Sequence, residues 1–453
     1  MAHHRLMLKK IMNISPQQGQ EGNNTASGRS LLALLKQFIP LSLSDVAMTL
    51  GDPLQTSALS RLSFPQETLA GVGVVKGVAV FLESPIIMIL HASTALGGQA
   101  KSRRVLWQFT VIAGLALSGI FLFLTWKPLY NWLLLDLFGV SSSIAARGRT
   151  AFLLMFLWPF VIAWRRFFQG LLIRAQKSIA VGWASVARLT WVIVSLAVGV
   201  TLRLDGALLA GITMMGAILI EAVLVTWFCM RLGAISILNQ QGYSETKKLP
   251  QTLSGVTFYY LPLASTMLLV WGARAILLSL IARSFDGSLA LAVWPAAWGL
   301  VLSVANGTRM IQQVIISAYE ETSRRTLVAF VMIVGLSFTF IPFFLGFTDN
   351  GLFLLRQFLG NNPSLVEASR PVIQILSCFP LLLALQNTFQ GLLIHRGKNW
   401  FINIATVVAA TFTLVVCGTL IFTRHSGANS AAYGMLAGVI SEIIVLFFAL
   451  QSK

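Results

Sequence analysis

Charge is scarce in this sequence of 453 residues: Asp, Glu, Lys and Arg make up 11% of it, against 56% apolar residues. A soluble core of that length would have too few charged residues to cover it in water. Acidic residues are the scarcest, with 15 Asp and Glu facing 33 Lys and Arg for a formal net charge of +18. Histidine is rare, and His3, His4, His91, His395 and His425 show no partner spacing. Neither a metal-binding HExxH motif, a Ser/His/Asp arrangement nor a phosphate-cradling P-loop can be read, so the chain is expected not to be an enzyme. Cysteine is limited to Cys229, Cys378 and Cys417, each isolated inside an apolar run, which excludes a disulfide framework and a metal site built on thiolates.

What fills the chain instead is a succession of apolar runs of twenty or more residues, each long enough to cross roughly 30 Å of hydrocarbon. Backbone groups in lipid must be satisfied within the segment, so the runs are helices and the fold class is an all-α integral membrane protein. Twelve spans are expected: 31–58, 66–92, 104–126, 149–172, 178–202 and 206–231, then 253–282, 288–318, 325–348, 367–393, 399–423 and 428–450. Residues 1–30 are polar and lack an apolar stretch, which predicts a disordered cytoplasmic leader rather than a cleaved signal.

Most bases sit in the short loops, where they orient helices and meet anionic head groups, so the net charge does not point to nucleic acid. With a cytoplasmic N-terminus the inside loops hold Lys101, Arg103, Arg104, Arg174, Lys177, Arg231, Lys247, Lys248, Arg324, Arg325, Arg396 and Lys398. The outside loops hold mostly single bases, Arg61, Arg203, Arg283 and Arg424, with Lys127, Arg147 and Arg149 against the trend. Both termini are therefore expected in the cytoplasm. The polar stretch 232–252 divides the chain into an N-lobe at 31–231 and a C-lobe at 253–450, six helices each.

The two halves repeat. At an offset of 221 residues FQGLLI recurs, at Phe168–Ile173 and Phe389–Ile394, with Pro159 and Pro380 nine residues before and Lys177 and Lys398 nine after. Leu133, Leu134 and Gly139 fall on Leu354, Leu355 and Gly360, in what reads as a short helix lying at the outer surface. At an offset of 222, Pro40-Leu41 and Arg61 fall on Pro262-Leu263 and Arg283. A repeat of six helices gives both lobes the same orientation, and places a substrate site between them near mid-bilayer. Prolines inside five spans, Pro40, Pro159, Pro262, Pro295 and Pro380, suit helices that bend while lobes rock, or else static kinks.

These features resemble the superfamily of multidrug and toxic-compound extrusion (MATE) transporters and lipid-linked oligosaccharide flippases, through RQFLGNNP at Arg356–Pro363 and the two FQGLLI segments. Within it the chain resembles the progressive ankylosis (Ank) protein family. The residues that carry this are FIPLSLSDVAMTLG at Phe38–Gly51 with Asp52, and Leu69–Pro85 ending in Glu83-Ser84-Pro85. Pro262-Leu263-Ala264 with Arg274 and Arg283, and Gly427-Ala428 with Leu436-Ala437-Gly438 and Glu442, complete it. The resemblance implies membrane export of polyanions such as pyrophosphate, nucleotides or citrate. Arg165 and Arg166 depart from it, standing where uncharged residues are expected.

An ionisable group well inside a span is costly, and faces a cavity or a partner. The bases so placed are Lys76, Arg165, Arg166, Arg188, Arg274 and Arg309; the acids are Asp45, Asp52, Glu83, Glu221 and Glu442. Excess guanidinium suits phosphate or carboxylate, which Arg grips through two parallel hydrogen bonds, whereas lipophilic cations call for buried carboxylates and aromatic walls. Arg274, with mid-span placement and a family position, leads a substrate-binding set that continues with Arg309, Lys76 and Arg188. Arg165 and Arg166 lie near a span end, where long side chains can snorkel. Asp45 and Asp52, seven apart on one helix, could carry a coupling proton or bind sodium, or Asp52 could instead pair with Lys76 or Arg274. Pro40, Pro262, Gln169, Gln390, Glu83 and Glu442 form a gating or cavity set, in which the glutamines suit helix–helix bonding equally well.

The leading expectation is a secondary active transporter exporting small polyanions by alternating access between two lobes. No cofactor is expected beyond coupling to H+ or Na+, and the partners are a small anion and membrane lipids, with no nucleic acid. The chain is expected to be a monomer of the plasma or inner membrane. The alternatives are a flippase for a lipid-linked phosphate and ion-coupled multidrug (cation) extrusion.

Overall fold

Apolar residues all round a helix give it no preferred face, so the ends of the helices, rather than their periodicity, mark out this chain. A computed structural model describes residues 30–451 apart from 176, 241–248, 320–321, 361, 397 and 399. The leader before residue 30, and Gln241 to Lys248 of the polar stretch between the halves, lie outside the described residues.

In the first half the chain forms α1 (Leu31–Thr49), α2 (Gly51–Leu59), α3 (Pro65–Glu83), α4 (Ile89–Leu96) and α5 (Ala100–Leu124). Then come α6 (Lys127–Asn131), α7 (Ser142–Leu154), α8 (Trp158–Arg174), α9 (Ser178–Thr201) and α10 (Gly206–Arg231). After a short α11 (Ala234–Gln240), the second half forms α12 (Leu253–Ala282), α13 (Gly287–Asn306), α14 (Ile311–Ala318) and α15 (Arg324–Phe347). It ends with α16 (Asp349–Phe358), α17 (Pro363–Ile375), α18 (Phe379–His395), α19 (Trp400–Phe422) and α20 (Gly427–Gln451). Among the described residues there is no strand.

Nine of the described helical segments are long and apolar enough to cross a membrane, ten if α7 and α8, bent by 45°, form one crossing. The chain is a multi-pass integral membrane protein. Side-chain caps start several helices: Ser30 accepts from Ala33 N, Thr252 from Gly255 N and Thr348 from Gly351 N, at 3.3, 3.2 and 3.0 Å.

Short helices stand at the two matched positions, as α6, continued by a π-helical stretch to Leu137, and as α16. Each is followed by a glycine in the left-handed region, Gly139 at φ 74° and Gly360 at φ 65°. Pro159 and Pro380 do not kink the middle of a helix. Each occupies the first turn of a new helix, α8 or α18, where a missing N–H costs nothing.

Packing crosses between the halves at the first helix of each: the Phe109 ring of α5 meets that of Tyr260 of α12 at 5.0 Å. Leu34 and Phe38 of α1 are buried in a cluster with Ile311, Val314 and Phe330, so the first helix rests on the second half. The Phe38 and Phe330 rings meet edge to face at 5.6 Å. Within the first half α3 and α7 approach at glycines. A Cβ on Gly71 would lie 2.7 Å from Ile144 O, and one on Gly148 would lie 2.9 Å from Gly71 O.

Candidate functional site

Two adjoining cavities lie between α3, α12 and α13 and among α12, α18, α19 and α20. The first, about 240 Å³, is lined from both halves by Asp52, Gln55 and Lys76 on one side and Trp271, Arg274 and Trp298 on the other. The second, about 540 Å³, is lined from the second half, by Arg274, Arg309, Gln386, Gln390 and Glu442 among others. Trp271, Arg274 and Trp298 line both, which puts the Arg274 guanidinium where the two meet.

The charges in these cavities are handled differently. Lys76 is ion-paired with Asp52, on the neighbouring helix α2. Gln390 donates to Glu442 Oε1 at 2.9 Å. Arg274 lies over the Trp271 ring, 4.3 Å from its centroid, and among the described residues no carboxylate pairs with it. A ring face holds a guanidinium without using up its N–H donors, so they remain available to an anion.

The first half carries a second polar cluster away from the cavities. Glu221 of α10 is completely buried and is ion-paired with Arg165 of α8. Gln169 donates to its Oε1 at 2.8 Å, and Arg188 of α9 to its Oε2 at 3.3 Å. A desolvated carboxylate held by two guanidiniums and an amide is a satisfied structural knot.

The structure thus brings Lys76, Arg274, Arg309, Asp52, Gln390 and Glu442 of the sequence-derived set to the cavities. It places Arg188 and Gln169 in the Glu221 knot instead. Glu83 accepts a hydrogen bond from the Trp158 indole, at the start of α8. Pro40, Asp45 and Pro262 lie on α1 and α12, but their side chains fall outside the described residues.

Sequence reasoning missed the tryptophans. Trp294 and Trp298 stack at 5.3 Å with ring planes 3° apart, and Phe379 meets Trp298 at 5.1 Å. Their signal was available, since Trp294 and Trp298 are four apart on one helix and Trp271 stands three before Arg274.

The family model for progressive ankylosis protein (ANKH) matches residues 23–299, well over half of the chain. The chain belongs to that family. Its fold is shared with solved MATE transporters. An inward-facing multidrug resistance MATE family transporter of the MOP superfamily aligns with a TM-score of 0.72 at 14% identity, over 93% of this chain and 98% of that one. The MATE multidrug transporter DinF-BH, solved as a complex, aligns at 0.61 and 19% identity over 96% and 98%. A MOP superfamily transporter from Pyrococcus furiosus, described as having a binding pocket of reversed polarity, aligns at 0.58 and 14% over 96% and 100%. At these identities what this family member shares with them is the fold.

Proposed function

We propose that this member of the family is a secondary active transporter that exports small polyanions of the pyrophosphate, nucleotide or citrate kind. It works by alternating access between two parallel six-helix lobes, twelve crossings in all, with both termini cytoplasmic. The single observation that carries the reading is Arg274. It stands where the two cavities meet, with an indole behind it and no carboxylate to neutralise it among the described residues. Arg309 lines the larger cavity with it. Two guanidiniums in one cavity suit two phosphate or carboxylate groups of one molecule. Coupling to H+ or Na+, a monomeric state and residence in the plasma or inner membrane belong to the same proposal.

In liposomes the protein is expected to carry labelled pyrophosphate, ATP or citrate saturably, and Arg274→Ala to cut that flux about tenfold or more. A second reading, cation extrusion, draws on the indoles of Trp271, Trp294 and Trp298 and on Glu442. Flux of a lipophilic cation dye alone, indifferent to Arg274→Ala, would favour it and overturn the first. If neither anion nor cation moves, a lipid-linked phosphate is the substrate to test.

A further inference from the structure

The repeat relates two carboxyl groups that the chain treats differently. At the 221-residue offset Gln169 falls on Gln390 and Glu221 on Glu442. Each glutamine donates to its glutamate across the same separation of 52 residues, at 2.8 and 2.9 Å. The bases beside Glu221 are Arg165 and Arg188, whereas the residues at their repeat positions are Gln386 and Ala409. Both bases are gone from the second site. Among the described residues no base forms an ion pair with Glu442.

From this difference we propose that Glu442 is a proton-exchanging carboxyl group open to the larger cavity, while its counterpart Glu221 stays ionised. Glu442 is only 5% exposed yet lines the cavity. An ionised carboxylate without a counter-ion is costly in such a place, and taking up a proton removes the charge.

The amides can serve either form of the carboxyl group. Gln386 and Gln390 both hydrogen-bond the carboxyl group of Glu442. A carboxylate only accepts, so both amides must turn N–H groups toward it, and the buried Oε1 of Gln386 is left with no donor. A carboxylic acid has an O–H to give. Turning the Gln386 amide end for end lets Oε1 accept it, with the amide nitrogen taking the place Oε1 leaves, so the same side chain can serve the protonated form.

The charged groups facing the same cavity are Arg274 from α12 and Arg309 from the 307–310 turn; α18 adds only amides there and α19 only threonine hydroxyls. An anion held in this cavity adds negative charge near Glu442 and favours the protonated form, so a proton and an anion would be loaded together. That last step rests on the transport reading; the protonation itself does not.

The test is carbodiimide labelling of the wild-type protein in nanodiscs, mapped by mass spectrometry. Dicyclohexylcarbodiimide adds to protonated carboxyl groups in apolar surroundings, and no transported substrate is needed. Glu442 is expected to label, at a rate falling about tenfold per pH unit once it ionises, and Glu221 to stay unlabelled throughout. Gln386→Arg, which restores the base found at Arg165, is expected to abolish labelling at Glu442. Three results would each overturn the proposal: no label on Glu442 at any pH, equal labelling of Glu221, or undiminished labelling of Glu442 in Gln386→Arg. Absent anion flux with this labelling pattern intact would count against the transport reading alone.

Discussion

Arg283 donates from Nη2 to the carbonyl oxygen of Leu137 at 2.6 Å, joining the end of α12 to a helical turn 146 residues earlier in the chain. The same nitrogen reaches Asp136 O at 3.1 Å. Arg61, just after α2, makes the reverse contact, donating to the carbonyls of Gln357 and Phe358 at the end of α16. Asp136 and Leu137 occupy the repeat positions of Gln357 and Phe358. Each half therefore uses an arginine to cap a short helix of the other. The last carbonyls of a helix lack partners and carry partial negative charge, which a guanidinium satisfies.

These two clasps should be separable by hydrogen exchange. Arg61→Ala is expected to speed amide exchange in α16 about fivefold and leave 127–137 unchanged, and Arg283→Ala to do the converse. The size corresponds to about 1 kcal/mol, the loss of charge-assisted bonds discounted for their exposure. Acceleration of both helices by either variant would show that the halves separate as a unit instead.

The glycines beside the clasps give an ordered pair of stability changes. A Cβ on Gly360 would lie 2.8 Å from the backbone oxygen of Ser60, while one on Gly139 would lie 2.8 Å from Cγ of Arg283. A side-chain carbon can move aside, and a backbone oxygen at the end of a helix cannot. Both alanines would also meet the left-handed penalty of about 1–2 kcal/mol. Gly360→Ala is expected to lower the melting temperature in detergent more than Gly139→Ala, and the reverse order would contradict the packing described.

Glu221 and Glu442 should separate just as clearly. Glu221→Gln leaves the buried Arg165 and the part-buried Arg188 beside a neutral amide, and breaking such a knot costs about 3–5 kcal/mol. Glu442→Gln strands no ion pair and is expected to leave the melting temperature nearly unchanged. Removing Arg165 together with Glu221 should recover part of the loss, which a double-mutant cycle on thermal unfolding would read.

The length of the apolar runs and the 221-residue repeat made most of the fold legible. The short helices α6 and α16, the glycines that end them and the equivalence of Arg61 with Arg283 follow from residues that match in register, whereas the exchange of those arginines between halves does not. Packing partners were not legible, because α1 carries apolar residues on every side and lipid gives helices no hydrophobic reason to choose one neighbour over another. Arg188 illustrates the cost at the site. Its mid-span position reads like that of Arg274, but its partner Glu221 is 33 residues away on another helix, and nothing local to Arg188 announces it. The repeat could have done so, since Glu221 maps onto Glu442 and Arg188 onto an alanine.

Lys76 offers the last expectation, because its partner is the weaker half of an ion pair. The Lys76 side chain is 30% exposed and that of Asp52 65%, so the pair is open to water and held loosely. Asp52→Asn would keep the shape of the cavity and release the ammonium into it. If the cavity binds anions, the variant should take up pyrophosphate with an apparent affinity a few-fold higher at low ionic strength. The gain should fade as salt approaches about 1 M, where screening shortens the reach of a charge to about 3 Å. Lys76→Gln should move the affinity the other way. An Asp52→Asn variant that instead loses flux outright, at every salt concentration and with binding unchanged, would make Asp52 part of the transport cycle rather than a counter-ion.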